Sequence, residues 1–186
     1  MSGKATKVVF LGDSGVGKTC VIDRIVHPES TGIAKASNTI GSKSYSFSQI
    51  VSGEKYEFNL WDTAGSATYQ TMAATFSADA VCCVLVFSLD DHESFQNIDG
   101  WIGLVSNIKT IKKFIIVGNK NDMPNKVVEL SEIEEYQKTK NMDYVVTSAE
   151  TKEGIEELKE CIISSVVAVP LKSETTEDAS GKCCRI

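Results

Sequence analysis

Residues 7–19 read KVVFLGDSGVGKT, and this stretch decides the fold. Its first part, residues 7–11, is an apolar run that predicts a buried strand. Residues 12–19 then form a complete G-x-x-x-x-G-K-[ST] loop, and the run that follows to Val26 predicts a helix. Strand, loop and helix in this order predict a phosphate-binding loop, or P-loop, whose backbone N–H groups face phosphate oxygens at a helix N-terminus.

The P-loop carries most of the predicted phosphate contacts. Lys18 is expected to neutralise β- and γ-phosphate oxygens, and the Thr19 hydroxyl is expected to coordinate Mg²⁺. The other predicted nucleotide contacts in this part of the chain are Ser14, Gly15, Val16, Gly17 and Cys20. By itself the loop does not separate ATP from GTP, or a kinase from a switch.

A second polar run predicts which base is bound. The predicted strand 114–118 ends in an N-K-x-D sequence, residues 119–122. A carboxylate can accept two hydrogen bonds from N1–H and the exocyclic amine of guanine, a pairing that adenine cannot offer. Asp122 is therefore the predicted specificity residue, and the run 147–149 at another strand end is expected to offer a backbone N–H to guanine O6. The other predicted base contacts are Asn119, Lys120, Ser148 and Ala149.

Two further elements complete the predicted phosphate side. Residues 62–65, Asp-Thr-Ala-Gly, follow a predicted strand, and Thr39 closes an unpatterned loop, residues 27–38, that we expect to be mobile. Asp62 is expected to hold Mg²⁺ through water, Thr39 to bring its hydroxyl to the metal, and the Gly65 N–H to meet the γ-phosphate. Thr19, Thr39 and Asp62 together form the predicted metal site.

The remaining sequence predicts one α/β domain, residues 1–169, and a flexible tail, residues 170–186, without an apolar pattern. Nearly continuous apolar strands alternate with amphipathic helices, which favours a mixed sheet with helices on both faces. Ser131 and Glu134 predict a capping box for a short acidic helix. The predicted strands are residues 7–11, 42–50, 55–61, 80–88, 114–118 and 143–147.

Composition excludes several classes of protein. The net charge of −6 provides no basic field for a polyanion, so nucleic acid is not an expected partner. No stretch approaches the roughly 18 apolar residues of a transmembrane helix, and the first residues lack the pattern of a secretory signal, so we expect a cytosolic chain. No pair of cysteines has zinc-site spacing, and the four before the tail are expected in the core: Cys20, Cys82, Cys83 and Cys161.

Taken together, these motifs resemble the Rab branch of the Ras-like small GTPases over nearly the whole chain. The resemblance rests on residues 12–20, 39–41, 60–65, 93–95 and 183–186. It implies a P-loop GTPase fold: a six-stranded, mostly parallel sheet with one antiparallel strand, and five helices on both faces.

The resemblance also implies a biological setting. The protein would be a monomeric GTP/GDP switch in vesicle and membrane trafficking, at the cytoplasmic face of intracellular membranes and with a cytosolic pool. Its implied partners are effectors, an exchange factor, a GTPase-activating protein, GDP-dissociation inhibitor and a prenylation escort.

Two positions depart from the family pattern. Typical members have a glutamine after Asp-Thr-Ala-Gly that orients the attacking water, but this chain has Ser66. A short hydroxyl cannot span the same distance, so we expect slow intrinsic hydrolysis. The usual aromatic residue over guanine is also missing, since no Phe, Tyr or Trp lies between Arg24 and Tyr45, which predicts comparatively fast GDP release. The predicted catalytic residues are Lys18, Thr39, Gly65 and Ser66.

The tail ends in Cys183 and Cys184, followed by Arg185 and Ile186. This ending resembles the C-C-x-x sequence of Rabs that carry two geranylgeranyl groups, and it partly fits the C-a-a-X signal for one. The tail carries both charges and lacks the polybasic second signal that a single lipid needs, which favours lipidation of both cysteines.

Two alternatives remain open from the sequence. Ser66 and the absent aromatic could mark a GTP-loaded binding scaffold with vestigial catalysis. A P-loop kinase would need an acceptor site and a lid that the sequence does not show, and the N-K-x-D run argues against it.

Overall fold

Six strands form a single sheet in the computed structural model, which describes residues 5–30 and 39–167. The strands are β1 (Ala5–Leu11), β2 (Ser42–Val51), β3 (Glu54–Thr63), β4 (Cys82–Ser88), β5 (Lys113–Asn119) and β6 (Asp143–Val146). Their order is β2-β3-β1-β4-β5-β6, and only β2 runs antiparallel to its neighbour. All six predicted strands are confirmed to within two residues at each end.

Burial explains the arrangement of the strands. Every residue of β4 is buried, as are the last four residues of β1, because these central parallel strands are covered on both faces. The antiparallel strand β2 lies at the edge of the sheet and alternates between half-buried and exposed residues. The alternation and the continuous apolar runs in the sequence therefore report the position of each strand in the sheet.

Helices cover both faces of the sheet, as predicted. One face packs against α1 (Lys18–Val26) and α7 (Ile155–Val166) through residues such as Ile22 and Leu158. The other face packs against the remaining long helices through residues such as Trp101 and Ile133. The helical segments in the described residues are α1 (Lys18–Val26), α2 (Ala67–Gln70), α3 (Ala73–Phe76), α4 (His92–Gln96), α5 (Ile98–Val105), α6 (Leu130–Lys140) and α7 (Ile155–Val166).

The number of helices differs from the five expected, because two helical regions are interrupted. Thr71 and Met72 separate α2 from α3, and Asn97 separates α4 from α5. The second interruption is local, since the Asn97 backbone stays in the right-handed helical region and the Trp101 N–H still bonds to the Asn97 carbonyl.

The predicted capping box was wrong in its residues. Helix α6 begins at Leu130, so Ser131 already lies inside the first turn and cannot cap it. The box is formed instead by Glu129, whose backbone is extended, and Glu132, whose Oε1 accepts the Glu129 N–H at 3.1 Å.

The predicted core cysteines are buried: Cys20, Cys82, Cys83 and Cys161. Within the described residues, no helix is both long enough and apolar enough to cross a membrane. The predicted lipidation residues Cys183 and Cys184 and the whole tail 170–186 lie outside the described residues, as do residues 31–38 of the loop predicted to be mobile.

Candidate nucleotide-binding site

The predicted site residues follow the carboxyl ends of parallel strands. The P-loop follows β1, and Asp62 is the next-to-last residue of β3. Asn119 is the last residue of β5, and Thr147 comes directly after β6. The carboxyl ends of parallel strands lie at the same edge of the sheet. A ligand-binding crevice forms at that edge at the point where the strand order reverses. Strand β1 is such a point, since it lies between β3 and β4.

The P-loop begins at a position that only glycine can occupy. Gly12 has φ 143°, and a β-carbon built there would lie 2.0 Å from the Val86 carbonyl oxygen on β4. The loop therefore packs tightly on the sheet, and α1 begins six residues later at Lys18.

The Lys18 ammonium is buried beneath this loop. Its side chain is only 6% exposed, and Nζ donates hydrogen bonds to the carbonyl oxygens of Gly12 and Asp13, both at 2.7 Å. Burial lowers the pKa of Lys18 to about 8, although the carboxylates of Asp62 and Asp13 act in the opposite direction. Because the two carbonyls orient the ammonium without neutralising it, Lys18 is well placed to bind an anionic group such as phosphate.

The three predicted metal ligands meet beside Lys18. The Thr19 hydroxyl donates to Asp62 Oδ2 at 2.6 Å, and the Thr39 hydroxyl donates to the same oxygen at 3.1 Å. The two hydroxyl oxygens are 3.0 Å apart. Residues from α1, from the loop before β2 and from β3 therefore converge on one point.

Asp62 has an unsatisfied oxygen at this point. The residue is 1% exposed, and its Oδ1 has no hydrogen-bond partner among the described residues. Burial raises the pKa of Asp62, while hydrogen bonds from Thr19 and Thr39 and the charge of Lys18 oppose that rise. A buried carboxylate oxygen without a partner is costly. A Mg²⁺ ion with its bound water would satisfy it, so this set of oxygen donors fits the predicted metal.

A cleft of about 220 Å³ opens over these residues. It brings together most of the predicted phosphate-side residues: Ser14, Gly15, Gly17, Lys18, Thr19, Cys20, Thr39, Gly65 and Ser66. Ile40, Thr63 and Tyr69 also line it, although the sequence did not predict them. Val16 is buried under the loop and does not line the cleft.

Gly65 and Ser66 lie where the cleft meets α2. A β-carbon built at Gly65 would lie 2.4 Å from the carbonyl oxygens of Gly12 and Asp13, so the backbone passes against the P-loop at a distance that only glycine permits. Ser66 comes immediately before α2 in an extended conformation, is exposed, and its hydroxyl makes no capping hydrogen bond.

The predicted base-binding residues form a second group, joined to the P-loop by Asn119. This side chain is 2% exposed, and its Nδ2 donates to the Val16 carbonyl at 2.9 Å. Its Oδ1 accepts the Thr147 hydroxyl and the Ala149 N–H, both at 3.2 Å. Asn119 thus fixes the P-loop and the 147–149 run relative to each other.

Asp122 and Ser148 lie next to that link. The Ser148 hydroxyl donates to Asp122 Oδ1 at 2.5 Å, so Ser148 orients the carboxylate predicted to read guanine. Lys120 has φ 67°, and its Nζ lies 3.3 Å from Asp90 Oδ1. Asp122 is exposed, so its carboxylate is accessible to a ligand.

Arg24 is a residue of this region that the sequence interpretation missed. It is 3% exposed, its Nε donates to the Ala149 carbonyl at 2.7 Å, and its Nη1 donates to the Ser30 carbonyl at 2.6 Å. Lys152 adds a bond to the Pro28 carbonyl at 2.6 Å. These bonds attach the loop after α1 to the base-binding group. The available signal was a charge on the apolar face of α1, between Ile22 and Ile25.

Comparison with known proteins agrees with this geometry. The model of the Ras family matches residues 7–168. A Ypt/Rab-type GTPase, ypt71 of Schizosaccharomyces pombe, is 33% identical over 181 residues, which cover 92% of this chain and 84% of the relative. Ras-related protein Rab-9B of Mus musculus is 30% identical over an alignment of 203 residues with gaps, which covers 99% of this chain and 100% of the relative. Ras-related protein Rab7 of Drosophila melanogaster is 30% identical over 187 residues, covering 96% and 89%.

Proposed function

The chain belongs to the Ras family, and from that premise we propose that it is a Rab-like small GTPase, a switch in membrane trafficking that binds GTP and GDP together with Mg²⁺. One observation carries the proposal most directly. Thr19, Thr39 and Asp62 converge beside the buried ammonium of Lys18, and Asp62 Oδ1 has no partner in the part of the chain that the structure describes. This arrangement suits a phosphate-bound cation.

The chain's own residues divide the work of binding and hydrolysis. The P-loop N–H groups and Lys18 hold the β- and γ-phosphates, and the Gly65 N–H contacts the γ-phosphate. Bound Mg²⁺ would neutralise charge on the phosphate oxygens, held by Thr19, Thr39 and, through water, Asp62. Asp122 would recognise guanine, and Asn119, whose Oδ1 accepts the Ala149 N–H, would hold the 147–149 run beside it.

Thr39 gives this site the behaviour of a switch. Its hydroxyl donates to Asp62 Oδ2 at 3.1 Å and lies 3.0 Å from the Thr19 hydroxyl, at the proposed metal position. Bound Mg²⁺ and γ-phosphate would hold Thr39 in this position, and loss of the γ-phosphate would release it. Effectors that bind this surface would distinguish GTP from GDP in this way.

Hydrolysis in this protein is proposed to be slow without a partner. Ser66 is exposed and too short to orient a water against the γ-phosphate in the way that a glutamine does. A GTPase-activating protein would then have to supply the missing group. Exchange factor, GDP-dissociation inhibitor, effectors and prenylation escort complete the proposed set of partners, and the protein is proposed to act as a monomer.

The nucleotide and metal requirements can be tested on purified protein. We expect guanine nucleotide to be bound after purification and to be released when Mg²⁺ is chelated, as measured by chromatography of the released nucleotide. Thr19→Ala should abolish this dependence on Mg²⁺, because it removes a hydroxyl from the metal site. Thr71→Ala is a matched control, since within residues 5–30 and 39–167 this exposed hydroxyl bonds only to the Thr68 carbonyl, at 3.5 Å. Bound adenine nucleotide, or none, would contradict the proposed function.

Membrane attachment is proposed to depend on Cys183 and Cys184. The tail 170–186 mixes acidic and basic residues and offers no polybasic patch, so one lipid would hold the protein only weakly. We expect mass spectrometry of the protein from its native cell to find two geranylgeranyl groups, and a position at the cytoplasmic face of intracellular membranes with a cytosolic pool. An unmodified tail would reject this proposal.

A further inference from the structure

A pair of hydrogen bonds joins the P-loop to helix α5 outside the cleft. Asp13, the second residue of the loop, accepts the Trp101 indole N–H on Oδ1 at 2.7 Å. It accepts the Asn97 side-chain amide on Oδ2, also at 2.7 Å. Both carboxylate oxygens are therefore held by donors far away in sequence, and bonds of this length to a charged acceptor are among the stronger ones in proteins.

The donor side of this link is fixed in the core. Trp101 is 2% exposed and packs in the same apolar cluster as Ile98 and Val105 of its own helix. Asn97 lies at the junction of α4 and α5, and its backbone carbonyl accepts the backbone N–H of Trp101 at 3.1 Å. A buried ring has little freedom to follow a moving loop, so Trp101 acts as a fixed point.

The acceptor side is part of the phosphate-binding machinery. The carbonyl of Asp13 is one of the two that hold Lys18 Nζ, at 2.7 Å. A β-carbon built at Gly65 would lie 2.4 Å from the same carbonyl oxygen, so only glycine fits beside it. A displacement of Asp13 would therefore move an acceptor of Lys18 and the surface against which Gly65 packs.

We propose that Trp101 and Asn97 are positioning residues for nucleotide binding, acting through the Asp13 carboxylate to hold the P-loop in its phosphate-binding shape. The inference rests on the proposed function and deepens it. The family motif explains why residues 12–19 contain glycines, lysine and threonine, whereas this link gives the Asp13 side chain a role of its own. Without the link, the loop has more conformations to lose on binding, so nucleotide is held less tightly.

The test measures release of a fluorescent GDP analogue, chased with excess GDP in Mg²⁺, with the unfolding temperature recorded for each variant. Asp13→Ala removes the acceptor, and Trp101→Phe removes the indole N–H while keeping an aromatic ring. Trp101→Phe should release the analogue about tenfold faster, the change that loss of one charge-assisted hydrogen bond produces. Asp13→Ala removes the bonds from both Trp101 and Asn97 and should release it at least as fast. The double variant should be no faster than the faster single variant, because both changes break the same bond.

Tyr136→Phe is the matched control. Its hydroxyl donates to Asp99 Oδ1 at 2.8 Å, so the variant also removes one bond from an aromatic donor to an aspartate, and that aspartate lies on the same helix α5. Asp99 makes no described contact with the P-loop, so release should remain at the wild-type rate. A general loosening of α5 would instead accelerate release in both aromatic variants.

Several outcomes would overturn the inference. Wild-type release from Trp101→Phe would do so, and so would a double variant whose acceleration equals the product of the two single effects. If Trp101→Phe fails to fold, Asn97→Asp takes its place, because this exposed position tolerates an isosteric change that sets one carboxylate against another. Faster release is then expected, and an unchanged rate refutes the link. If the wild type binds no GDP, the proposed function fails as well; unchanged variants of a GDP-binding protein refute the link alone.

Discussion

Asp122→Asn is expected to lower the affinity for GTP by roughly 10²- to 10³-fold, since a site built for hydrogen bonds strongly rejects a ligand that cannot make them. The carboxylate of Asp122 accepts the Ser148 hydroxyl on one oxygen and is exposed toward solvent on the other. Guanine presents two N–H donors to this position. An asparagine can accept one of these donors on its amide oxygen but turns its own N–H group toward the other, which leaves that donor without an acceptor.

The same change should create affinity for a different base. Xanthine carries a carbonyl where guanine carries the exocyclic amine, so an amide N–H at position 122 gains an acceptor. Competition binding with GTP and xanthosine triphosphate measures both effects in one experiment. Asp143→Asn is the matched control, because this aspartate pairs with Lys113 at 2.7 Å at the start of β6, at the opposite end of the strand from the site. If wild type and Asp122→Asn bind GTP with equal affinity, Asp122 does not take part in base recognition.

The strands were predictable because their sequence patterns have a direct physical cause. A central parallel strand such as β4 is covered on both faces, so nearly every residue must be apolar. The error at helix α6 has an equally physical origin. Its start is set by the preceding segment, where the N–H groups of Val127 and Val128 both bond to the Leu89 carbonyl. That contact holds the chain before Leu130, and no local pattern around Ser131 reveals it.

The candidate site divides in the same way. Lys18, Asp62 and Asp122 were predicted because each belongs to a short motif whose spacing reflects its chemistry. Arg24 and Trp101 were missed as site residues because their partners, Ala149 and Asp13, lie on other elements far along the chain. A single sequence displays which groups touch a phosphate. The side chains that hold those groups in place become evident only when the strands and helices are assembled.

Ser66→Gln is expected to raise the intrinsic rate of GTP hydrolysis by about 10- to 100-fold, the range over which misplacement of a reacting group slows a reaction. Ser66 lines the phosphate cleft, and its hydroxyl makes no capping bond that a glutamine would disrupt. The longer amide is expected to reach a water near the γ-phosphate, so the variant gains the glutamine that typical family members have at this position. A single-turnover assay with GTP already bound measures the chemical step without exchange.

Thr68→Gln is the control for this experiment, because it adds the same side chain to α2 at an exposed position that does not line the cleft. It should hydrolyse GTP at the wild-type rate. If Ser66→Gln is no faster than wild type, the serine is not what limits the reaction. If both proteins bind GTP and neither hydrolyses it, even with an activating protein present, the chain is a nucleotide-bound scaffold and its trafficking role depends on binding alone. If Ser66→Gln is faster than wild type, Ser66 limits intrinsic hydrolysis. The wild-type protein would then stay in its GTP-bound form until a partner accelerates the return to GDP.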